Sequence, residues 1–197
     1  MNFLAHSYLS FSHPEILVGN MISDVVKGKK KFDYSQGVQQ GIFLHRQIDT
    51  FTDTNEATKQ AAKFLKPAAG LYAGAFVDVA YDHFLANDLN EFTDDSLQQH
   101  AIKTYSTLTE YKHVLPAPFQ SMLPYMQSQN WLYNYKSIEG TKRGFDGVVR
   151  RASYLNSSTE VFDLFKEHYT SLQMYYNTFF SLVKEFAVLQ FKQLTNK

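Results

Sequence analysis

The chain contains no cysteine among its 197 residues, and this absence narrows the chemistry available to it. Without thiols there is no disulfide framework, no thiolate nucleophile and no sulfur-rich zinc site. Histidine, aspartate and glutamate are therefore the strong metal ligands that remain. The absence also suits a reducing compartment, and we expect a cytoplasmic protein.

The chain also has no net charge, because its 19 Lys and Arg residues balance its 19 Asp and Glu residues. No global field would attract nucleic acid or a membrane, so a charged partner must be met by a local patch. The most apolar stretch, Leu71 to Ala86, contains Asp78, Asp82 and His83 and is shorter than the roughly 20 apolar residues that cross a bilayer. Met1 to Ser10 lacks a positive leader and a signal-peptide core, so we expect mature protein there.

Apolar residues recur at helical spacing along most of the chain, and no hairpin signal joins alternating runs. The pattern predicts an all-α, single-domain helical bundle over residues 1–197, with no linker or repeat to divide it. Caps and prolines set the bounds, and Pro67 is expected to stop the third helix. The expected helices are Pro14 to about Gly28, Ser35 to Asp53, Glu56 to Lys66, Leu71 to Asn87, Thr93 to Leu115, one or two within Phe119 to Tyr135, and Ser158 to Leu194.

One of these apolar helices carries two carboxylates and an imidazole, namely Asp78, Asp82 and His83. A buried carboxylate without a partner is costly, so some group must compensate both. Their four-residue spacing puts Asp78 and Asp82 on one helix face, where a divalent cation would relieve their repulsion. The alternatives are pairing with Arg or Lys from another helix, or a carboxylate that caps a neighbouring helix.

A second helix places His45, Asp49 and Asp53 one turn apart on a single stripe. An imidazole with a carboxylate one turn on can chelate a metal, or the carboxylate can orient the ring. His6 and Asp24 lie near apolar residues too, although a satisfied core or surface histidine and an exposed helical aspartate are the alternatives. Such nitrogen and oxygen ligands suit manganese, magnesium, iron or zinc, and a metal site of this kind performs hydrolysis.

Several spaced blocks carry a resemblance that extends over nearly the whole chain, in order. The blocks are Asn2-Phe-Leu-Ala-His6, Gly19-Asn20-x-x-x-Asp24, His45-Arg46-x-Ile-Asp49-x-x-Thr-Asp53, Asp78-x-x-x-Asp82-His83-Phe-Leu, Gln129-Asn-Trp131-Leu and Arg150-Arg151. They resemble the signature blocks of bacterial acyl carrier protein phosphodiesterases, a helical branch of the HD phosphohydrolases. The resemblance implies an HD-phosphohydrolase-like fold and Mn²⁺-dependent release of 4′-phosphopantetheine from holo-acyl carrier protein, which leaves the apo form.

The resemblance also implies roles for individual residues. Metal ligands are expected among Asp24, His45, Asp49, Asp78 and Asp82. Asp24 is also expected to act in catalysis, with Arg46, Arg150 and Arg151 steadying the phosphoryl charge and His6 or His83 protonating the serine oxygen. The chain departs from the wider pattern in two ways: it has Asp82-His83 instead of a His-Asp dipeptide, and Gln47 where many relatives have a second basic residue.

An acidic carrier protein as partner would require a basic docking surface. Lys27, Lys29, Lys30 and Lys31 are expected to provide it next to the Asp24 helix, with a second run at Lys142, Arg143, Arg150 and Arg151. The alternative for the lysines is a solvated helix end. Two other functions stay open: an HD-like phosphohydrolase acting on a nucleotide or small phosphoester, and a silent helical module that only binds the carrier protein.

Overall fold

The computed structural model describes residues 1–196, and within them every regular element is a helix. The all-α prediction is therefore confirmed. The α-helices are α1 Phe3–Tyr8, α2 Pro14–Ile22, α3 Gln36–Thr54, α4 Glu56–Ala69, α5 Ala73–Ala86, α6 Asp94–Glu110, α7 Ala117–Ser128, α8 Trp131–Asn134, α9 Ile138–Arg151, α10 Thr159–Glu167 and α11 Tyr169–Thr195. Short 3-10 helices cover Ser23–Val25, Gly28–Asp33, Gly70–Tyr72 and Lys112–Val114.

The backbones of α2 and α3 are in contact where the two helices cross, because a glycine of each helix lies at the crossing. A larger residue there would hold the backbones apart. A Cβ on Gly19 would lie 2.0 Å from the Val38 carbonyl oxygen, and one on Gly41 would lie 2.2 Å from that of Ile16. Only glycine permits this approach. The crossing brings the end of α2 against the middle of α3.

Helix α5 is the buried centre of the fold, in contact with α1, α4, α9 and α11. Eleven of its 14 residues are buried, including Asp82 and His83. A helix that is apolar on nearly all sides is buried on nearly all sides, as its sequence indicates. Two polar side chains in such a helix must find partners inside the protein.

Two predicted helix ends are wrong, and one predicted helix is divided in two. Helix α2 ends at Ile22 rather than near Gly28, and the single 3-10 turn that follows it ends at the β-branched pair Val25 and Val26, which are poor helix formers. Helix α4 continues through Pro67 to Ala69, although proline has no N–H to donate to the carbonyl of Lys63.

The long carboxyl-terminal helix is broken into α10 and α11 at His168, whose backbone leaves the helical region at φ −100°, ψ 19°. Two further helices, α1 and α9, were not expected. Helix α1 has 6 residues, too few for a periodic signal. Helix α9 contains three glycines, which lower helix propensity but let it approach its neighbours. No helix within residues 1–196 is long and apolar enough to cross a membrane.

Candidate metal centre

Four side chains from three parts of the chain meet beside the crossing of α2 and α3. His45 and Asp49 lie one turn apart on α3, with 3.0 Å between His45 Nε2 and Asp49 Oδ2. Asp24, from the 3-10 turn after α2, brings Oδ1 to 3.2 Å from the same nitrogen. His6 of α1 brings Nε2 to 3.1 Å from Asp49 Oδ1. We call His6, Asp24, His45 and Asp49 the His-Asp cluster.

The backbone fixes how the His45 ring is presented. Its Nδ1 lies 2.7 Å from the carbonyl oxygen of Asn20, which can only accept, so Nδ1 carries a hydrogen. In the neutral ring, Nε2 would then point a lone pair at the carboxylates of Asp24 and Asp49. That arrangement requires either a proton on Nε2 or a cation between the groups.

The titration properties of the cluster follow from this geometry. Burial alone would lower the pKa of His45, but hydrogen bonds to Asp24 and Asp49 raise it to about 9. Burial and the stacked His45 ring, 3.9 Å away, lower the pKa of His6. Burial would raise the pKa of Asp49, yet His6 and His45 hold it well below its usual range. In the protein without an ion, a proton on His45 therefore takes the place of the positive charge.

The cluster also meets the simplest requirement for a metal site. His6, His45 and Asp49 each offer one ligand atom, and these atoms lie within 4.8 Å of one another. Two imidazole nitrogens with carboxylate oxygens suit zinc, iron and manganese, and metal-binding histidines typically donate their other ring N–H to a backbone carbonyl, as His45 does to Asn20. The Asp24 side chain is 79% exposed and leaves the cluster open on the solvent side.

Asp78 is joined to the cluster through the amino group of Met1. That nitrogen lies 2.9 Å from Asp78 Oδ1 and 3.5 Å from Asp49 Oδ1. Burial alone would lower the pKa of the amino group, but the two carboxylates raise it to about 11. Asp78 thus neutralises an ammonium group at the edge of the cluster.

Asp82 lies on the same helix as Asp78 but has a different partner. Its two oxygens accept hydrogen bonds from the backbone amides of Leu4, at 2.7 Å, and Ala5, at 3.1 Å. These are unpaired donors at the start of α1. One of the stated alternatives, a carboxylate that caps a neighbouring helix, is the arrangement found. Both of its oxygens are thereby used at α1 and not at the His-Asp cluster.

His83 is also held away from the cluster. Its Nδ1 lies 2.7 Å from the Tyr135 carbonyl oxygen and 2.9 Å from the Thr141 hydroxyl, and its Nε2 lies 2.9 Å from the Tyr169 hydroxyl. Burial lowers its pKa. These bonds join α5 to α9 and α11, so His83 has an architectural place in this structure.

The predicted basic residues divide between two surfaces. Arg46 donates from Nη2 to the Val26 carbonyl at 3.1 Å, beside the turn that carries Asp24. Lys27, Lys29 and Lys30 are exposed and Lys31 is half-buried, around a 3-10 turn and not at the end of a helix as expected. The second surface carries the paired arginines.

Arg150 and Arg151, with Arg143, line a groove of about 640 Å³ between α1, α7, α8 and α9. Lys142 instead pairs with Asp146 at 2.7 Å. The groove lining is mostly apolar, and it includes the aromatic pair Phe3 and Trp131, whose ring centroids lie 6.3 Å apart. Nothing in the spacing of α7 and α9 along the sequence pointed to this groove.

Sequence reasoning also missed the role of Asn20. Its backbone orients His45, and its buried side chain donates to the His6 carbonyl at 2.9 Å and to Ser10 Oγ at 3.0 Å. It therefore holds α1 and α2 together behind both histidines. An asparagine inside an otherwise apolar helix was the available signal, because a buried amide needs partners.

Fold and cluster together define an all-helical protein with an open, histidine- and carboxylate-lined centre that can hold a divalent ion. Comparison with known families is more specific. The family model for acyl carrier protein phosphodiesterase matches residues 1–183. The chain belongs to this family.

Curated relatives cover the chain almost from end to end. It is 29% identical over 198 residues to an acyl carrier protein phosphodiesterase of Yersinia pestis, a match that spans 98% of this chain and 100% of the relative. It is 27% identical over 188 residues to one of Klebsiella pneumoniae, spanning 95% of this chain and 97% of that one. No solved structure gives a significant match, so the likeness to HD phosphohydrolases stays a prediction.

Proposed function

We propose that the chain hydrolyses the phosphodiester between 4′-phosphopantetheine and the serine of holo-acyl carrier protein, releasing apo-carrier protein, and that it does so in the cytoplasm. The observation that carries the proposal is the His-Asp cluster in a member of this family. Open, polar and centred on imidazoles that carboxylates orient, the cluster has the donor set of a hydrolytic metal site.

We assign a divalent ion, Mn²⁺ first and Mg²⁺, Fe²⁺ or Zn²⁺ as alternatives, to His6, His45, Asp49 and Asp24 of the cluster. When bound, such an ion supplies positive charge for the phosphoryl oxygens and lowers the pKa of a bound water. Asp78 and Asp82 have other partners, the Met1 amino group and the α1 amides, and we leave them outside the ligand set.

The surrounding residues then have distinct tasks. Asp24, exposed and in contact with His45, can take a proton from the attacking water. Arg46 is held by the Val26 carbonyl and can present its other N–H donors to the phosphate. Neither of the two histidines expected to protonate the serine oxygen is free for that role, since His6 belongs to the ligand set and His83 is bonded to Tyr135 and Tyr169, so we propose neither as the general acid.

Loss of the pantetheine mass from holo-carrier protein, measured by intact-protein mass spectrometry with Mn²⁺, is the direct test. Asp24→Ala should lower kcat/KM by at least about 10- to 100-fold, as removal of a partner of a metal-binding histidine does. Because the Asp24 side chain is 79% exposed, the variant should still fold, and its thermal midpoint should fall only by what the lost ion pair with His45 contributes. Asp95→Ala, at another exposed aspartate, is the matched control. Full activity of the Asp24 variant, or turnover of small phosphodiesters alone, would reject the proposal.

The lysine surface is our candidate for docking the acidic carrier protein. Exposed apolar side chains accompany the lysines: Phe32 is 63% exposed with Lys31 Nζ 4.9 Å from its ring centroid, and Val25, next to Asp24 in the chain, is 36% exposed. A basic surface with apolar anchors suits an acidic protein partner. The surface would orient the carrier serine towards the cluster.

A charge-reversed triple variant tests the docking surface. Changing Lys27, Lys29 and Lys30 to Glu should raise KM for holo-carrier protein at least about tenfold, with little change in kcat, and should remove most of its salt dependence. The control reverses Lys59, Lys63 and Lys66, which are exposed on α4. Equal KM values for the two triple variants would exclude this surface.

A further inference from the structure

The groove between α1, α7, α8 and α9 lies outside the His-Asp cluster, and it is lined by Arg150 and Arg151, which the family resemblance assigns to the phosphoryl charge. It is about 640 Å³ in volume, within the range of small-molecule sites, and it is open at one side. Phe3, Met122, Tyr125 and Trp131 form an apolar floor, whereas the arginines of α9 lie along one wall. An apolar channel with cations along one wall suits a long, mainly uncharged ligand that has a negative group.

The groove begins where the His-Asp cluster ends. The amino group of Met1 contacts Asp49 and Asp78, and the next two residues, Asn2 and Phe3, line the groove. The two sites are therefore neighbours along one backbone segment. A ligand that reaches both sites would pass Met1 on its way to Phe3 and Trp131.

Polar groups at the floor match an amide-bearing chain. Asn2 donates through Nδ2 to the Tyr135 hydroxyl at 2.8 Å, and Trp131 donates through Nε1 to Gln129 Oε1 at 2.9 Å. The first bond leaves the amide oxygen of Asn2 for a ligand N–H, and the second leaves the amide NH2 group of Gln129 for a ligand carbonyl. Pantetheine carries two amides between its phosphate end and its thiol.

We propose that this groove binds the pantetheine arm of the carrier protein, with the phosphate towards Met1 and the thiol end against Met122 and Tyr125 of α7. The inference rests on the proposed function, because it gives that substrate a second contact beyond the scissile bond. An acyl group on the thiol would lie at the exposed end of the groove, where Tyr125 is 61% exposed.

A larger residue at Gly147 would fill the groove. Gly147 lines the wall on α9, and a Cβ there would meet only Arg150 Nη2, at 3.5 Å. Gly147→Leu should therefore fold normally and occupy the ligand's path. Gly74→Leu, in α5, is the matched control, because a Cβ at Gly74 meets nothing within 4 Å.

Binding can be read without turnover, because Trp131 is the one tryptophan of the chain. In Mg²⁺, titration with 4′-phosphopantetheine should change tryptophan fluorescence, and inorganic phosphate should not. Gly147→Leu should weaken the binding of phosphopantetheine at least about tenfold, as expected when a ligand path is blocked, and Gly74→Leu should leave it unchanged. Tyr125→Ala, which removes an exposed ring, is the second groove variant and should weaken binding several-fold.

Hydrolysis assays separate this inference from the proposed function. Gly147→Leu should raise KM for holo-carrier protein at least about tenfold, whereas Gly74→Leu should leave both this KM and the turnover of bis(4-nitrophenyl) phosphate unchanged. If carrier protein is hydrolysed but Trp131 does not respond and the Gly147→Leu KM is that of the wild type, the groove proposal is overturned alone. If no carrier protein is hydrolysed but phosphopantetheine binding is present and lost in Gly147→Leu, the groove stands as a pantetheine site and the proposed function is rejected.

Discussion

The protonation of His45 makes a quantitative prediction about stability when no metal is present. The folded protein raises the pKa of His45 from 6.5 to about 9. At about 1.4 kcal/mol per pKa unit, the shift corresponds to roughly 3 kcal/mol. The His45 side chain is only 6% exposed, so solvent screening removes little of this value. This stabilisation belongs to the three groups His45, Asp24 and Asp49 together, so the pKa shifts of the two carboxylates do not add to it.

The sign follows from the direction of the shift. Because the folded protein holds the proton more tightly than the unfolded chain, the stabilisation is complete below about pH 6.5 and is lost as the pH rises through about 9. The Met1 ammonium, with a pKa of about 11, adds a further loss at higher pH. Most of that second loss is common to wild type and His45 variants, since the nearer carboxylate of that ammonium is Asp78, which His45 does not contact.

Urea unfolding in EDTA at intervals between pH 6 and 10 measures this contribution. The wild type should lose about 3 kcal/mol more of its free energy of unfolding across the interval than His45→Gln loses. His113→Gln, at an exposed histidine of a 3-10 turn, should follow the wild-type curve. Parallel curves for wild type and His45→Gln would refute the account of the cluster as a site whose charge a proton supplies.

Three further predictions use the same contacts. Mn²⁺ affinity should rise about tenfold per pH unit up to about pH 9, since the ion displaces the His45 proton, and calorimetry in buffers of different ionisation enthalpy should detect its release. Asp82→Asn should cost about 1–3 kcal/mol in urea unfolding, because the NH2 group that replaces one carboxylate oxygen cannot accept the hydrogen bond of an α1 amide. Gly41→Ala should lower stability by about 1–3 kcal/mol through the clash with α2, whereas Gly74→Ala should not lower it; equal effects would contradict the close crossing.

Residues that are close in sequence were predicted well, because local hydrogen bonding sets the geometry of a helix. His45 and Asp49, one turn apart, were expected on one face of a helix and lie 3.0 Å apart on α3. The apolar character of α5 likewise indicated a buried helix, and eleven of its residues are buried. The absence of cysteine by itself limits the candidate ligands to nitrogen and oxygen donors, wherever the side chains lie in the fold.

Contacts between distant segments were decided by packing. Asp78 and Asp82 share one helix, yet one contacts the Met1 amino group and the other caps α1, because each faces a different neighbour. His6 reaches Asp49 across 43 positions of sequence, and Asp24 reaches His45 across 21. The helical period of a sequence predicts which residues share a face of a helix, but it does not predict which other helix packs against that face. The α2–α3 crossing and the position of α1 decide these contacts, and they bring the residues of the His-Asp cluster together.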